Sequence, residues 1–310
     1  MVDAEWVAAA FGLRGDVRLT VVGRGAKGRL SRLDAGPAAY ALKELFREPD
    51  LAVVTAEATA TAVFADAGVR LPRCLPAVDG RFVVTPPDGG WLRLYEWADG
   101  GPADPARDAE RLGRTLGLLH AAAPPSDGPR DLWFETTPDA ADWAAVGLGA
   151  HAAAFTALAR LVRPVDPARQ RVCHRDLHPE NTLLSSDGEL VVLDWEDVGP
   201  ADPDRELGMV LARWHVRGDQ VDAAAVRRTL DAYRAAGGTG WPRDESAFAM
   251  AVTADQNYLL RQARVAADPA STPEELAWAG KEIAESMEFM ITRPAVDELL
   301  EISARAFAAR

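Results

Sequence analysis

The chain is poor in lysine. Of 34 basic residues in a total of 310, only Lys27, Lys43 and Lys281 are lysines. Where arginine is the default cation, a lysine in a strand answers a local need for a compact charge. Cysteine is nearly absent as well. Cys74 and Cys173 lie far apart in a chain without an export signal, which excludes a disulfide framework and points to reduced thiols in the cytoplasm. Positive charge is in deficit overall, with a net charge of −13 and an isoelectric point near 4.9. A nucleic-acid partner needs a basic surface and is excluded. The same deficit suits cationic small molecules, although it also serves plain solubility. Long apolar runs are missing too. The longest uncharged stretch, 143–159, is Ala-rich with Gly and His inside it and reads as a soluble helix, not a membrane span. The first residues carry Asp3 and Glu5 and do not read as a signal peptide.

What is present divides into a strand-rich first third and a helical remainder. Apolar alternation marks strands at 17–22, 29–33 and 39–45, joined by a glycine loop and a turn at 34–37. Asp50 is placed to cap a helix over 51–67, which Gly68 ends. Further strands are expected at 74–78, 81–85 and 91–97. The Gly-Pro-rich segment 98–106 reads as a linker, followed by helices near 105–122 and 140–163. A two-strand ribbon over 182–185 and 190–193 turns at 186–188. Asp202 then caps a helix whose first residue is Pro203, and helices are expected over 203–217, 221–236, 244–267, 272–291 and 294–309. No internal repeat or low-complexity tract interrupts this pattern. The expected class is α+β and bilobal, with an N-terminal antiparallel sheet carrying one helix and a mostly helical C-terminal lobe.

Gly23, Gly25 and Gly28 form GxGxxG, a weak signal alone because it fits both a dinucleotide fold and a kinase loop. The dinucleotide reading needs a helix directly after the glycines. A strand follows here, so a strand–loop–strand lid whose backbone N–H groups approach phosphate fits better. Lys43, on the third strand, offers a point charge to nucleotide phosphates, and Glu57 is the helix carboxylate expected to hold it. The most specific string is HRDLHPEN, from His174 to Asn181, followed by LVVLDWED, from Leu190 to Asp197. It provides Asp176 to accept or orient a hydroxyl proton, and Asn181 and Asp194 as oxygen ligands for Mg²⁺. His174 braces the loop in this reading, His178 supports it, and Arg175 faces the surface without a chemical part. His120, His151 and His215 lack ligand spacing and read as core or surface residues. Trp195 reads as a packing residue.

The order of these motifs resembles the protein-kinase-like superfamily. Together with LGRTLGLLHAAAP, from Leu112 to Pro124, and VLDWEDVGPADPDREL, it is similar to the aminoglycoside phosphotransferase family of small-molecule kinases over residues 17 to 210. Two departures from protein kinases support the small-molecule branch: Trp195 and Glu196 follow Asp194, and Asp202-Pro203 opens a helix where an activation segment would run. The resemblance implies a nucleotide-binding lobe over 1–97, with the base against a hinge at Glu96, Trp97 and Ala98. It implies a second lobe over 98–310, with a catalytic loop at 172–197 and a helical substrate-binding subdomain at 203–310. It further implies ATP or GTP with Mg²⁺ as cofactors and a small, hydroxylated, cationic acceptor such as an aminoglycoside, with no nucleic acid and no membrane involved. Acids such as Asp255, Glu282 or Glu285 would hold its amines. Sugars, amino sugars, choline and homoserine are acceptors of metabolic relatives, and a non-catalytic nucleotide-binding protein is the reading of another class. Two positions depart from the family: Arg175 stands where Gly is common, and Glu206 where an Asp commonly opens the helix, which puts that residue's bracing role in question.

Overall fold

Alternating apolar residues fold the first third into a five-stranded antiparallel sheet. Its strands are β1 (Val17–Arg24), β2 (Gly28–Ala35), β3 (Ala38–Leu45), β4 (Cys74–Leu75) and β5 (Trp91–Glu96), in the order β1-β2-β3-β5-β4. The computed structural model describes residues 2–25 and 27–308. The chain divides into two compact units, Met1–Ala103 with Glu180–Val198, and Asp104–Pro179 with Gly199–Arg310. The expected division at 97/98 therefore differs in two respects. The first unit runs six residues further, and it also takes the ribbon that follows Asn181.

In the first unit, Leu33, Leu42, Leu92 and Leu94 form the core under the sheet with Val7 and Phe11 of α1 (Ala4–Phe11). That helix was not anticipated. Asp3 caps it by accepting from Glu5 N–H, and Gly12, at φ 66°, ends it. Helix α2 (Leu51–Asp66) starts at the expected cap, Asp50, and buries Val54, Glu57 and Phe64. The strands expected at 74–78 and 81–85 are mostly absent. Pro76 has no N–H to give to a ladder, so β4 stops at Leu75, and the second segment makes only a bridge between Val84 and Leu92. A three-stranded sheet of Gly101–Pro102, Thr182–Leu184 and Leu190–Val192 completes the unit.

The second unit holds α3 (Ala109–Ala122), α4 (Ala140–Ala145), α5 (Ala152–Ala159), α6 (Pro203–His215), α7 (Ala223–Ala235), α8 (Ala249–Ala267), α9 (Pro273–Phe289) and α10 (Arg293–Ala308). The single helix expected over 140–163 is broken, because Gly147 adopts φ 79° and Gly149–His151 forms a 3₁₀ turn. Its halves still share a core, where Trp143 and Phe155 meet Leu259, Leu260 and Met290. The helix expected over 203–217 ends at His215, where a short ribbon turns through Gly218. Helices α3 and α7 touch backbone to backbone. A Cβ at Gly113 or Gly117 would lie 2.1 Å from Thr229 O or 2.6 Å from Tyr233 O, so the glycine spacing in α3 is a packing requirement. Both cysteines are buried free thiols. Among the described residues no helix is long and apolar enough to cross a membrane.

Candidate active site

The ribbon of the first unit, Thr182–Leu184 paired with Leu190–Val192, carries at its open end Asn181 and Asp194, the two residues expected to hold a metal. Leu193 N–H donates to Asn181 O at 2.9 Å, so Asp194 emerges beside Asn181. Asp194 sits at φ 53°, a left-handed conformation that aspartate tolerates better than most residues. Behind it Trp195 is a packing residue, as expected. Its indole N–H donates to Val192 O at 2.9 Å and its ring stacks on Phe64 at 5.3 Å.

Lys43 reaches this end from β3. Its Nζ lies 3.1 Å from Asp194 Oδ1 and 2.8 Å from Glu196 Oε1. Burial pulls the ammonium down, but Asp194 and Glu196 hold it above its ordinary value. The expected partner, Glu57, is taken by another cation. Arg93 lies directly across from Lys43 on β5, and its guanidinium meets Glu57 Oε2 at 2.7 Å while Tyr95 O–H donates to Oε1 at 3.2 Å. Both members of that ion pair are 2% exposed, and burial lifts the Glu57 carboxyl above the usual range against the pull of Arg93. Arg93 also approaches Glu196 Oε1 at 3.9 Å. The lysine and the helix glutamate are thus the two ends of a chain, Glu57–Arg93–Glu196–Lys43, instead of a pair. Sequence order alone could not show this, because a planar, persistently charged arginine on the next strand outcompetes lysine for a buried carboxylate.

The glycine loop joins β1 to β2, strand to strand. Gly25 N–H donates to Gly28 O at 2.9 Å and closes it. Gly28 is required by packing, since a Cβ there would stand 2.5 Å from Glu44 O, whereas Gly23 and Gly25 face open space. Lys27, within the loop, places Nζ 2.7 Å from Asp197 Oδ2 and 3.9 Å from Glu196 Oε2. At the end of β5, Glu96 is engaged by the N–H and guanidinium of Arg73. Trp97 donates to Asp99 at 2.7 Å under the guanidinium of Arg32, and Ala98 follows it in the chain.

Asp176 belongs to the second unit. Its N–H donates to His174 Nδ1 at 3.2 Å, and His178 Nε2 lies 3.6 Å from its Oδ2. Burial would raise this carboxyl, but the hydrogen bond and charge of His178, with Arg213 and His174, carry it down to about 2. Arg213 Nη2 in turn meets Asp255 Oδ1 at 2.6 Å. The other acids expected to hold amines are engaged too. Glu282 accepts from Tyr258 O–H at 2.6 Å, and Glu285 lies 3.3 Å from Lys281.

Residues 18–246 match the family described as a phosphotransferase enzyme family. The chain belongs to that family. No curated protein matches it in sequence. Among solved structures it is similar to a spectinomycin phosphotransferase in complex with ADP and spectinomycin, with a TM-score of 0.66 at 13% identity over 98% of this chain and 97% of the other. A microcompartment-associated aminopropanol kinase gives 0.59 at 17% over 99% and 97%. A macrolide 2′-phosphotransferase from Brachybacterium faecium gives 0.57 at 20% over 91% and 98%. The antiparallel sheet followed by helices is the protein-kinase-like fold of these phosphotransferases.

Two expectations for this phosphotransferase need correction. Arg175 is buried, not surface-facing. It adopts φ 68°, a left-handed conformation that favours glycine, and its guanidinium lies over the Phe134 ring at 4.7 Å and 3.4 Å from Asp131. Glu206 does brace the loop, the role that the sequence left in question. One oxygen accepts from Arg175 N–H at 2.5 Å, and the other meets His120 Nε2 at 2.7 Å. Burial would raise the Glu206 carboxyl, but the His120 and Arg175 contacts hold it below its usual range. The far side of His120 meets Tyr233 O–H at 2.6 Å, which itself accepts from Gly240 N–H. His120, Cys173 and Glu206 lie close enough to suggest a metal centre. Both imidazole nitrogens already have protein partners, so the cluster is a brace. His215 is likewise a core residue, bonded to Thr229 at 2.8 Å.

Proposed function

We propose that this phosphotransferase moves the γ-phosphoryl group of ATP or GTP to a hydroxyl of a small natural product of antibiotic type. The observation that carries this reading is the assembly of Lys43 and Asp194 beside Asn181, a compact cation next to hard oxygen ligands. Asn181 and Asp194 fit Mg²⁺, because they bring a neutral and a charged hard oxygen to the same end of the ribbon, where Leu193 N–H bonds Asn181 O. Bound there, the ion would neutralise phosphate charge. Lys43 positions the phosphate oxygens, and the backbone of the Gly23–Gly28 loop covers them. Glu57 supports Lys43 indirectly, through Arg93 and Glu196. The purine lies against the backbone of Glu96 to Ala98. Asp176, at a pKa of about 2, is ionised throughout the working range. A group so acidic orients the acceptor hydroxyl and takes its proton late, as a loose transfer requires.

The acceptor's cationic character rests on the net charge of −13. Its amines must compete with Arg213 and Lys281 for Asp255, Glu282 and Glu285, or bind elsewhere. The likeness to an aminopropanol kinase supports a second reading, a metabolic amino-alcohol kinase. A coupled assay with ATP and GTP over aminoglycosides, macrolides, nucleoside antibiotics, amino sugars and amino alcohols separates the two. Asp176→Asn and Asp194→Asn should each cut turnover by about a hundred- to ten-thousandfold with an unchanged circular dichroism spectrum. Full activity in either variant sinks the mechanism.

A further inference from the structure

Two of the three lysines in the chain converge on one acidic run of the first unit. Lys43 comes from β3, where the proposed mechanism uses it. Lys27 comes from the glycine loop, where the mechanism uses only backbone. Yet Lys27 Nζ is 2.7 Å from Asp197 Oδ2 and, like Lys43 Nζ, within 4 Å of a Glu196 oxygen. Two ammonium groups that share one carboxylate are held together by further anions, here Asp194 for Lys43 and Asp197 for Lys27, and a polyphosphate supplies such charge along its length. The Lys27 side chain has room to move. Gly23 and Gly25 face open space, the side chain of Lys27 is 43% exposed, and only Gly28 is pinned by packing. Phe46 N–H donates to Lys27 O at 3.0 Å, so the backbone at Lys27 stays anchored to the end of β3 while the ammonium is carried on a flexible stem.

We propose that Lys27 is a second phosphate-binding cation. In the nucleotide-free protein its ammonium is paired with Asp197. When nucleotide binds, it exchanges that carboxylate for an oxygen of the β- or γ-phosphate, no covalent bond being made or broken. This rests on the phosphotransferase reading of the same unit, and it makes the loop's side chain, as well as its backbone, part of nucleotide recognition. The exchange also predicts that Asp197 opposes binding, because it stabilises the free state alone.

Titration calorimetry of the intact 310-residue chain with Mg²⁺ and ATP, ADP or AMP tests the proposal. Wild-type protein that binds none of them overturns the phosphotransferase reading itself; wild-type binding with the pattern below absent overturns only the role of Lys27. Lys27→Ala and Lys27→Met should weaken ATP about ten- to hundredfold, the worth of one charge-assisted hydrogen bond, and leave AMP within about twofold. AMP binding also reports that the variants are folded. Asp197→Asn should bind ATP at least as tightly as the wild type. Equal losses for ATP and AMP in the lysine variants, no loss for ATP, or a tenfold weakening in Asp197→Asn would each overturn the exchange.

Discussion

Two residues show how a neighbour decides what a side chain does. Glu57 was legible in the sequence as the helix acid near Lys43, but its bond to Arg93 was not, because the register that sets Arg93 opposite Lys43 is a tertiary fact. A buried pair with one member removed leaves an uncompensated charge. Arg93→Met should therefore cost about 3–5 kcal/mol in urea unfolding, and the double variant Arg93→Met/Glu57→Leu should recover most of that loss. If the double variant is as unstable as the single, the pair is not the source. At Arg175 the conflict is within one residue. Its backbone at φ 68° favours glycine, while its guanidinium contacts Asp131 and Phe134. Arg175→Gly relieves the first and loses the second, so its net stability should stay within about 1 kcal/mol of the wild type.

At the scale of elements, the glycine loop separates two kinds of glycine. Gly28→Ala drives a Cβ to within 2.5 Å of the Glu44 carbonyl and should lower the melting temperature by several degrees. Gly25→Ala meets nothing within 4 Å among the described residues and should melt like the wild type while raising the KM for ATP. Equal melting losses in both variants would remove the distinction. Much of this scale was readable beforehand. Period-2 alternation revealed β1 to β3, Asp50 and Asp202 marked the starts of α2 and α6, and the ribbon after Asn181 was placed within one residue. Where reading failed, a single backbone property overrode the pattern, as at Pro76 in the truncated strand and Gly147 in the broken helix. Helix α1 escaped notice because eight residues carry too little periodicity, although Asp3 and Gly12 are a complete pair of caps. The brace of the loop at Arg175 escaped the sequence, which singled out His120, Arg175 and Glu206 separately and Tyr233 not at all, because its members are spread over a long stretch of chain.

At the scale of the whole molecule, a buried histidine is one source of acid sensitivity. His215 is desolvated and its pKa is pushed down to about 4 from 6.5, so it folds neutral. The unfolded chain takes up a proton first. This contribution to stability is complete above about pH 6.5, declines as pH falls toward 4, and approaches about 3 kcal/mol when fully lost. His215→Gln, which can still reach Thr229, should flatten urea-unfolding free energy between pH 6.5 and 4.5; an unchanged slope would place the sensitivity elsewhere. The scarcity of lysine has a practical consequence at the same scale. With ε-amines only at Lys27, Lys43 and Lys281, and Lys281 the most exposed of the three, an amine-acylating probe should mark Lys281 among them first. The rate at which the other two follow then becomes a direct, residue-resolved gauge of what occupies their carboxylates.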